Sequence, residues 1–142
     1  MRCHEIMKKA VQCAGVTDTV QSAAVAMRDR NIGFLPVCDG AGRVVGTLTD
    51  RDIAVRLASD DKSAAQTLVE DVMTREVVSC LATDDLARAE QLMATHKKSR
   101  VVVVDEQGAA AGVISLSDIA ERDSTTRAAV TLRQVAARES HA

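Results

Sequence analysis

A mixed α/β (α+β) fold built from two copies of one β-α-β-β-α unit is predicted by an internal repeat, by apolar stretches alternating with amphipathic ones, and by a core-forming composition. Residues 5–54 fall on residues 71–120 without a gap at a constant shift of about 66, which pairs Met7 with Met73, Gly46 with Gly112, Asp52 with Asp118 and Ile53 with Ile119. A repeat of this kind marks a supersecondary unit that cannot bury its apolar face alone and stacks on a copy of itself. The 142 residues are 46% hydrophobic, enough to bury roughly 68% of the unfolded surface in one domain or two small interlocked ones. With one Phe and neither Trp nor Tyr, the core must come from Val, Leu, Ile, Met and Ala.

Each copy reads in the same order. A short strand at Val11 to Cys13, or Val77 to Cys80, precedes a helix cap at Thr17-Asp18 or Thr83-Asp84. Asp18 with Gln21 has capping-box spacing, and Val20, Ala23, Ala24 and Met27 form an i, i+3, i+4, i+7 stripe, matched by Leu86, Ala89 and Met93. The methionines on that stripe read as core filler. A β-hairpin follows: Phe34 to Cys38 or Val101 to Val104, a turn at Asp39-Gly40-Ala41-Gly42 or Asp105-Glu106-Gln107-Gly108, then Arg43 to Leu48 or Ala109 to Ile114. A second helix opens near Asp50 or Ser117. Pro36, the single proline, has no amide to donate and belongs at an edge or at the start of a strand's pairing, where it frees nearby backbone. The organisation expected is a first repeat over 1–58, a linker over 59–69, a second repeat over 70–122 and a polar tail over 123–142, in which Leu132, Val135 and Ala136 allow a short helix.

Composition narrows the function classes. A net charge of −2 supplies no basic field for a phosphate backbone, and the scarcity of aromatics argues against stacking of single-stranded bases, so no nucleic-acid partner is expected. No apolar run approaches the roughly 20 residues that span a bilayer, which points to a cytoplasmic protein with no membrane association. His4, His96 and His141 share no ligand spacing, no nucleophile-base arrangement recurs in both copies, and neither a P-loop nor G-x-G-x-x-G occurs, so neither a catalytic residue nor a metal is expected. Cys3, Cys13, Cys38 and Cys80 lack C-x-x-C spacing and read as buried reduced thiols; a parallel pairing of the strands ending at Cys13 and Cys38 would instead bring those two within disulfide reach.

The segment with chemical potential joins the last strand to the second helix: Gly46-Thr47-Leu48-Thr49-Asp50-Arg51-Asp52, and Gly112-Val113-Ile114-Ser115-Leu116-Ser117-Asp118. Both keep Gly, a hydroxyl three positions later and Asp three beyond. Thr49 and Ser115 can cap the helix or donate to a phosphate, and Asp52 and Asp118 can accept both hydroxyls of a ribose diol or simply face the helix dipole. Arg51 suits a phosphate contact and a surface ion pair equally.

These motifs, with Val72-Met73-Thr74 and Ile32-Gly33-Phe34-Leu35-Pro36-Val37, resemble the CBS domains, whose tandem form is called a Bateman module; the resemblance covers residues 5–56 and 71–122. It implies two units packed about a pseudo-twofold axis with clefts between them that take an adenosine-containing ligand of the AMP, ADP, ATP, NAD or S-adenosylmethionine class, with no cofactor required. It places ribose on Asp52 and Asp118, phosphate near Thr49 and Ser115, adenine against Val11, Phe34, Leu35 and Pro36, and a phosphate-facing base at Arg100. Lys97 and Lys98 beside Arg100 suit either phosphate neutralisation or a solvated loop, the latter being the commoner arrangement. The second copy departs from the pattern, with Ser99-Arg100-Val101-Val102 opposite Gly33-Phe34-Leu35-Pro36. The resulting expectation is a stand-alone regulatory module, homodimeric, acting in trans on an unidentified protein partner. The alternative class is a structural or redox-responsive interaction protein with vestigial clefts.

Overall fold

Two three-stranded sheets form, one per repeat, in a computed structural model that describes residues 1–9, 11–122 and 125–137. In the first sheet β1 (Ala14–Gly15) runs parallel to β2 (Phe34–Cys38), which pairs antiparallel with β3 (Val44–Thr49). In the second, β4 (Ser79–Leu81) runs parallel to β5 (Arg100–Val104), and β6 (Ala110–Ser115) completes the order β4-β5-β6.

The first strand of each repeat is shorter and later than Val11–Cys13 and Val77–Cys80, and Pro36 explains the difference between the copies. At the matching position of the second sheet, Val102 N donates to Val78 O at 3.1 Å. Pro36 has no such proton, so β1 begins to pair only at Ala14 opposite Val37 and is two residues long where β4 has three. Pro36 is therefore not on an edge strand, since β2 is central; it sits where pairing with β1 starts. The return strands and the last helix of the second repeat also sit within one residue of expectation, at Val44–Thr49, Ala110–Ser115 and α4 (Leu116–Arg122).

The helix caps lie further along than Thr17-Asp18 and Thr83-Asp84. Helix α1 (Val20–Arg30) is capped by Thr19, whose hydroxyl accepts from Ser22 N at 3.1 Å, and α3 (Leu86–His96) by Asp85, which accepts from Ala87 N at 2.9 Å. The expected Asp18/Gln21 capping box does not form because the Asp18 carboxylate accepts from Gly15 N at 2.7 Å and closes the preceding turn, as Asp84 does for Leu81 N at 2.9 Å. Asn31 and Lys97 end the two helices in the left-handed region at φ 53 and 55, so Lys97 serves as a helix stop. The predicted stripes are buried at Val20, Ala23 and Met27 and at Leu86, Ala89 and Met93.

Contiguous repeats and folded units are not the same residues. The chain divides into a first unit of Gln12–Val77 with Gly108–Ala110, and a second of Met1–Val11, Val78–Gln107 and the chain from Ala111 onward. Each unit is completed by a strap from outside its own repeat. In the first, a 3-10 turn at Val69–Asp71 leads to Thr74, which bridges Thr47 on β3; in the second, the turn at Cys3–Glu5 leads to Lys8, which bridges Val113 on β6. Val69, Val72 and Met73, at 0–4% exposure, join Val20, Leu35, Val37 and Leu48 in the first core. At about 1.5–3 kcal/mol per fully buried aliphatic side chain, the strap contributes on the order of 5 kcal/mol of burial before its ordering cost.

Part of the expected linker is structured too: Thr67 O and Ala64 O accept from Val20 N and Gln21 N at 2.8 and 3.0 Å, satisfying the free amides at the start of α1. The segment expected as a tail contains α5 (Thr125–Ala136), which packs on α3 and α4; its Val135 enters the second core at 3% exposure while Leu132 is exposed.

Candidate functional site

In the first unit the hairpin register sets Phe34 directly opposite Thr49, so the start of β2, the end of β3 and the helix that follows share one end of the sheet. That helix, α2 (Asp50–Asp52), continues as a wider π turn over Ile53–Leu57. Thr49 and Asp52 form a reciprocal capping box: Asp52 N donates to Thr49 Oγ1 and Thr49 N donates to Asp52 Oδ2, both at 3.0 Å. The second unit reproduces it, with Asp118 N donating to Ser115 Oγ at 3.1 Å and Ser115 N to Asp118 Oδ2 at 2.9 Å. Capping, one of the two roles open to these residues from sequence, is thus performed in both copies.

Capping does not exhaust the carboxylates. An ionised Asp offers about four acceptor lone pairs. Oδ2 of Asp52 gives one to Thr49 N, and Oδ1 gives one to the Thr74 hydroxyl at 3.2 Å, with Arg56 Nε 3.9 Å away. Each oxygen keeps capacity for one further donor, which is what two vicinal hydroxyls require. Both Asp side chains stay 13% exposed, reachable from one side but shielded enough to strengthen a hydrogen bond.

The remaining sequence-derived residues are placed unevenly. Phe34 is half-buried; Leu35, at 1% exposure, is core, so only its backbone can meet a ligand; Pro36 is buried. Arg51 is exposed, as is Arg100 at the β5 start equivalent to Phe34. Val11 falls in the second unit, apart from Phe34, Leu35 and Pro36 in the partition of the chain.

Three residues at the site were not assigned a role from sequence, although Thr74 belongs to a motif that carries the resemblance. Thr74 and Lys8 occupy equivalent strap positions, each following a Met of the identical pair, and each reaches the aspartate of its unit: Thr74 by hydroxyl, Lys8 by an ammonium 3.9 Å from Asp118 Oδ1. Arg56 fastens the first strap by donating from one guanidinium nitrogen to Val72 O and Met73 O at 3.1 and 2.7 Å. The signal was the repeat itself, because Lys8 and Thr74 differ by the same offset as Asp52 and Asp118; their contact spans too much chain for local pattern to reveal.

The four cysteines are free thiols. Cys13 and Cys38 do meet across the first sheet. Burial, then the hydrogen-bonded Cys13 thiol, pushes the Cys38 thiol up to about 12. Only a thiolate is readily alkylated, so iodoacetamide at pH 8 should label Cys38 in the folded protein about 10³-fold more slowly than in the urea-unfolded chain. Equal rates, read by peptide mass, would contradict this placement. Among the described residues no cluster of three or more His, Cys, Asp or Glu is arranged for a metal, and no helix is long and apolar enough to cross a membrane.

Duplicated sheets, each ending in a hydroxyl-x-x-Asp capping box, define a tandem-repeat class of fold. The chain belongs to the CBS-domain family, whose model matches residues 3–59 and 69–124. It is 37% identical over 116 residues to the CBS domain-containing protein YhcV of Bacillus subtilis, covering 82% of this chain and 81% of that one. Among solved structures it is similar to the CBS domain pair of protein MJ0100 in complex with 5′-methylthioadenosine and S-adenosyl-L-methionine (TM-score 0.75, 28% identity, 85% and 94% of the two chains). It also shares the fold of the CBS domain protein PAE2072 from Pyrobaculum aerophilum, complexed with AMP (TM-score 0.78, 22% identity, 96% and 99%).

Proposed function

We propose that this chain is a regulatory module that binds an adenosine-containing ligand, with Asp52 and Asp118 accepting the ribose hydroxyls. The observation that carries the reading is that both aspartates are held rigidly by their own helix caps yet retain acceptor capacity on each oxygen. Preorganised acceptors of this kind bind a diol without first losing side-chain freedom. Thr49 and Ser115 border the ribose, the half-buried Phe34 ring and the Pro36 segment offer an apolar edge for adenine, and Arg51 and Arg100 supply positive charge for phosphate or carboxylate. The complex of the MJ0100 CBS pair supports the adenosine class.

The module itself performs no chemistry in this reading; it signals occupancy to a protein partner in trans and works as a cytoplasmic homodimer. The test is equilibrium dialysis against AMP, ATP, NAD and S-adenosylmethionine, read at the adenine absorption band, which a chain without Trp or Tyr barely obscures. Saturable binding of at least one is expected. Failure of all four to bind at millimolar concentration would sink the proposal.

A further inference from the structure

We propose that Cys3 and Cys80 are a redox-modification site, a dithiol that closes to an intramolecular disulfide and fixes the N-terminal strap to the second sheet. Their sulfurs lie 3.7 Å apart in the core, with Cys3 at 0% and Cys80 at 6% exposure, although 77 positions separate them in the chain. The backbone holds them side by side without help from the sulfurs: Cys3 N donates to Asp84 O at 2.9 Å, His4 N to Ala82 O at 3.0 Å and Leu86 N to Met1 O at 2.8 Å. Closing to the roughly 2.05 Å of an S–S bond asks for less than 2 Å of movement shared by two side chains.

The duplication supplies the control that a single copy could not. In the first unit the matching residues are Val69 and Ala14, buried at 0% and 4%, and the same backbone bonds recur there: Val69 N to Asp18 O at 2.8 Å, Glu70 N to Val16 O at 3.2 Å and Val20 N to Thr67 O at 2.8 Å. Packing is therefore satisfied by an aliphatic pair, and nothing about filling this core calls for two sulfurs in contact. The pair is also chemically asymmetric. The hydrogen bond between the thiols lowers the pKa of Cys3, whereas that bond and burial raise the pKa of Cys80, so Cys3 is the attacking sulfur.

The oxidant is a small-molecule disulfide such as oxidised glutathione. With the turn at Cys3–Glu5 lifted, the Cys3 thiolate attacks one glutathione sulfur, forming a mixed disulfide and expelling one glutathione thiolate. Cys80 then loses its proton to solvent and attacks the Cys3 sulfur, forming the Cys3–Cys80 bond and expelling the second glutathione thiolate. Two protein thiols are oxidised and one glutathione disulfide is reduced to two glutathiones. The product ties down the strap that carries Lys8 to Asp118.

The test uses the full chain with Cys13→Ser and Cys38→Ala, so that only this pair can react. After incubation with oxidised glutathione, acid quench and maleimide capping, the proposal expects loss of both titratable thiols and a tryptic species joining Cys3–Lys8 to Glu76–Arg88. A cross-link closing so long a loop should raise the melting temperature by on the order of 10 °C, reversed by dithiothreitol. Adding Cys3→Val and Cys80→Ala, the pair found in the first unit, should leave a folded chain whose melting does not respond to the oxidant. Two free thiols after incubation, a stable glutathione adduct on either cysteine, or a cross-link that lowers the melting temperature would each overturn the assignment.

Discussion

Gly112→Ala should lower stability by about 2–3 kcal/mol, and Gly46→Ala by a similar amount, because each glycine is the floor on which a strap lies. A Cβ on Gly112 would come 2.8 Å from Lys8 O and 2.7 Å from Met7 Sδ; one on Gly46 would come 2.9 Å from Thr74 O and 2.8 Å from Met73 Sδ. A methionine side chain can swing away. The carbonyls cannot, since Lys8 O and Thr74 O are the acceptors for Val113 N at 3.2 Å and Thr47 N at 2.9 Å. Relief therefore requires the strap to move off the sheet, with loss of ladder bonds and partial exposure of buried residues, within the usual cost of overpacking. For a chain of this size the melting temperature should drop by about 5–10 °C, measurable by circular dichroism. Hydrogen exchange sharpens the expectation: in Gly112→Ala the amide of Lys8 should lose protection more than those of β2 and β3. An unchanged melting temperature in both variants would show that the straps do not pack as described.

The same glycines show what the sequence makes legible and what it does not. The identities Gly46/Gly112 and Met7/Met73 are visible at once from the repeat, and so are the strand, helix and hairpin order and the Thr49-Asp52 and Ser115-Asp118 spacing, because those depend on neighbours a few residues apart. The partnership of Met7 with Gly112, and of Met73 with Gly46, is invisible in a linear reading. It arises because the opening segment of each repeat completes the other unit, and no local propensity encodes that exchange. The misplaced caps have a local cause. Asp18 and Thr19 are both good N-caps, and the choice is made by the turn before them, where Gly15 N claims the Asp18 carboxylate. The shortened β1 likewise depends on a donor that Pro36, beyond the whole of helix α1, lacks.

Asp52→Ala should weaken adenosine-ligand binding in the first unit about 100-fold or more, the largest functional effect expected of any single change there. Two hydrogen bonds from ribose to a charged acceptor, at about 1.5–3 kcal/mol each, are lost together, and the Thr74 hydroxyl loses its partner as well. The substitution also removes the half of the capping box in which Thr49 N donates to the carboxylate, at about 1 kcal/mol of stability, so affinity must be read well below the melting transition of the variant. Asp52→Asn separates the two roles. Its amide oxygen can still accept from Thr49 N, leaving the fold nearly unchanged, but the amide nitrogen cannot accept a second ribose hydroxyl, and an affinity loss of roughly 10-fold is expected. Asp118→Ala and Asp118→Asn make the same pair of measurements in the second unit. There the neighbouring group is the Lys8 ammonium, 78% exposed, in place of a hydroxyl, so a ligand bearing more negative charge should suffer more when Lys8→Ala is added than when Thr74→Ala is added in the first unit. Binding that survives all four aspartate substitutions at undiminished affinity would mean that the carboxylates serve only as helix caps and that ribose is held elsewhere.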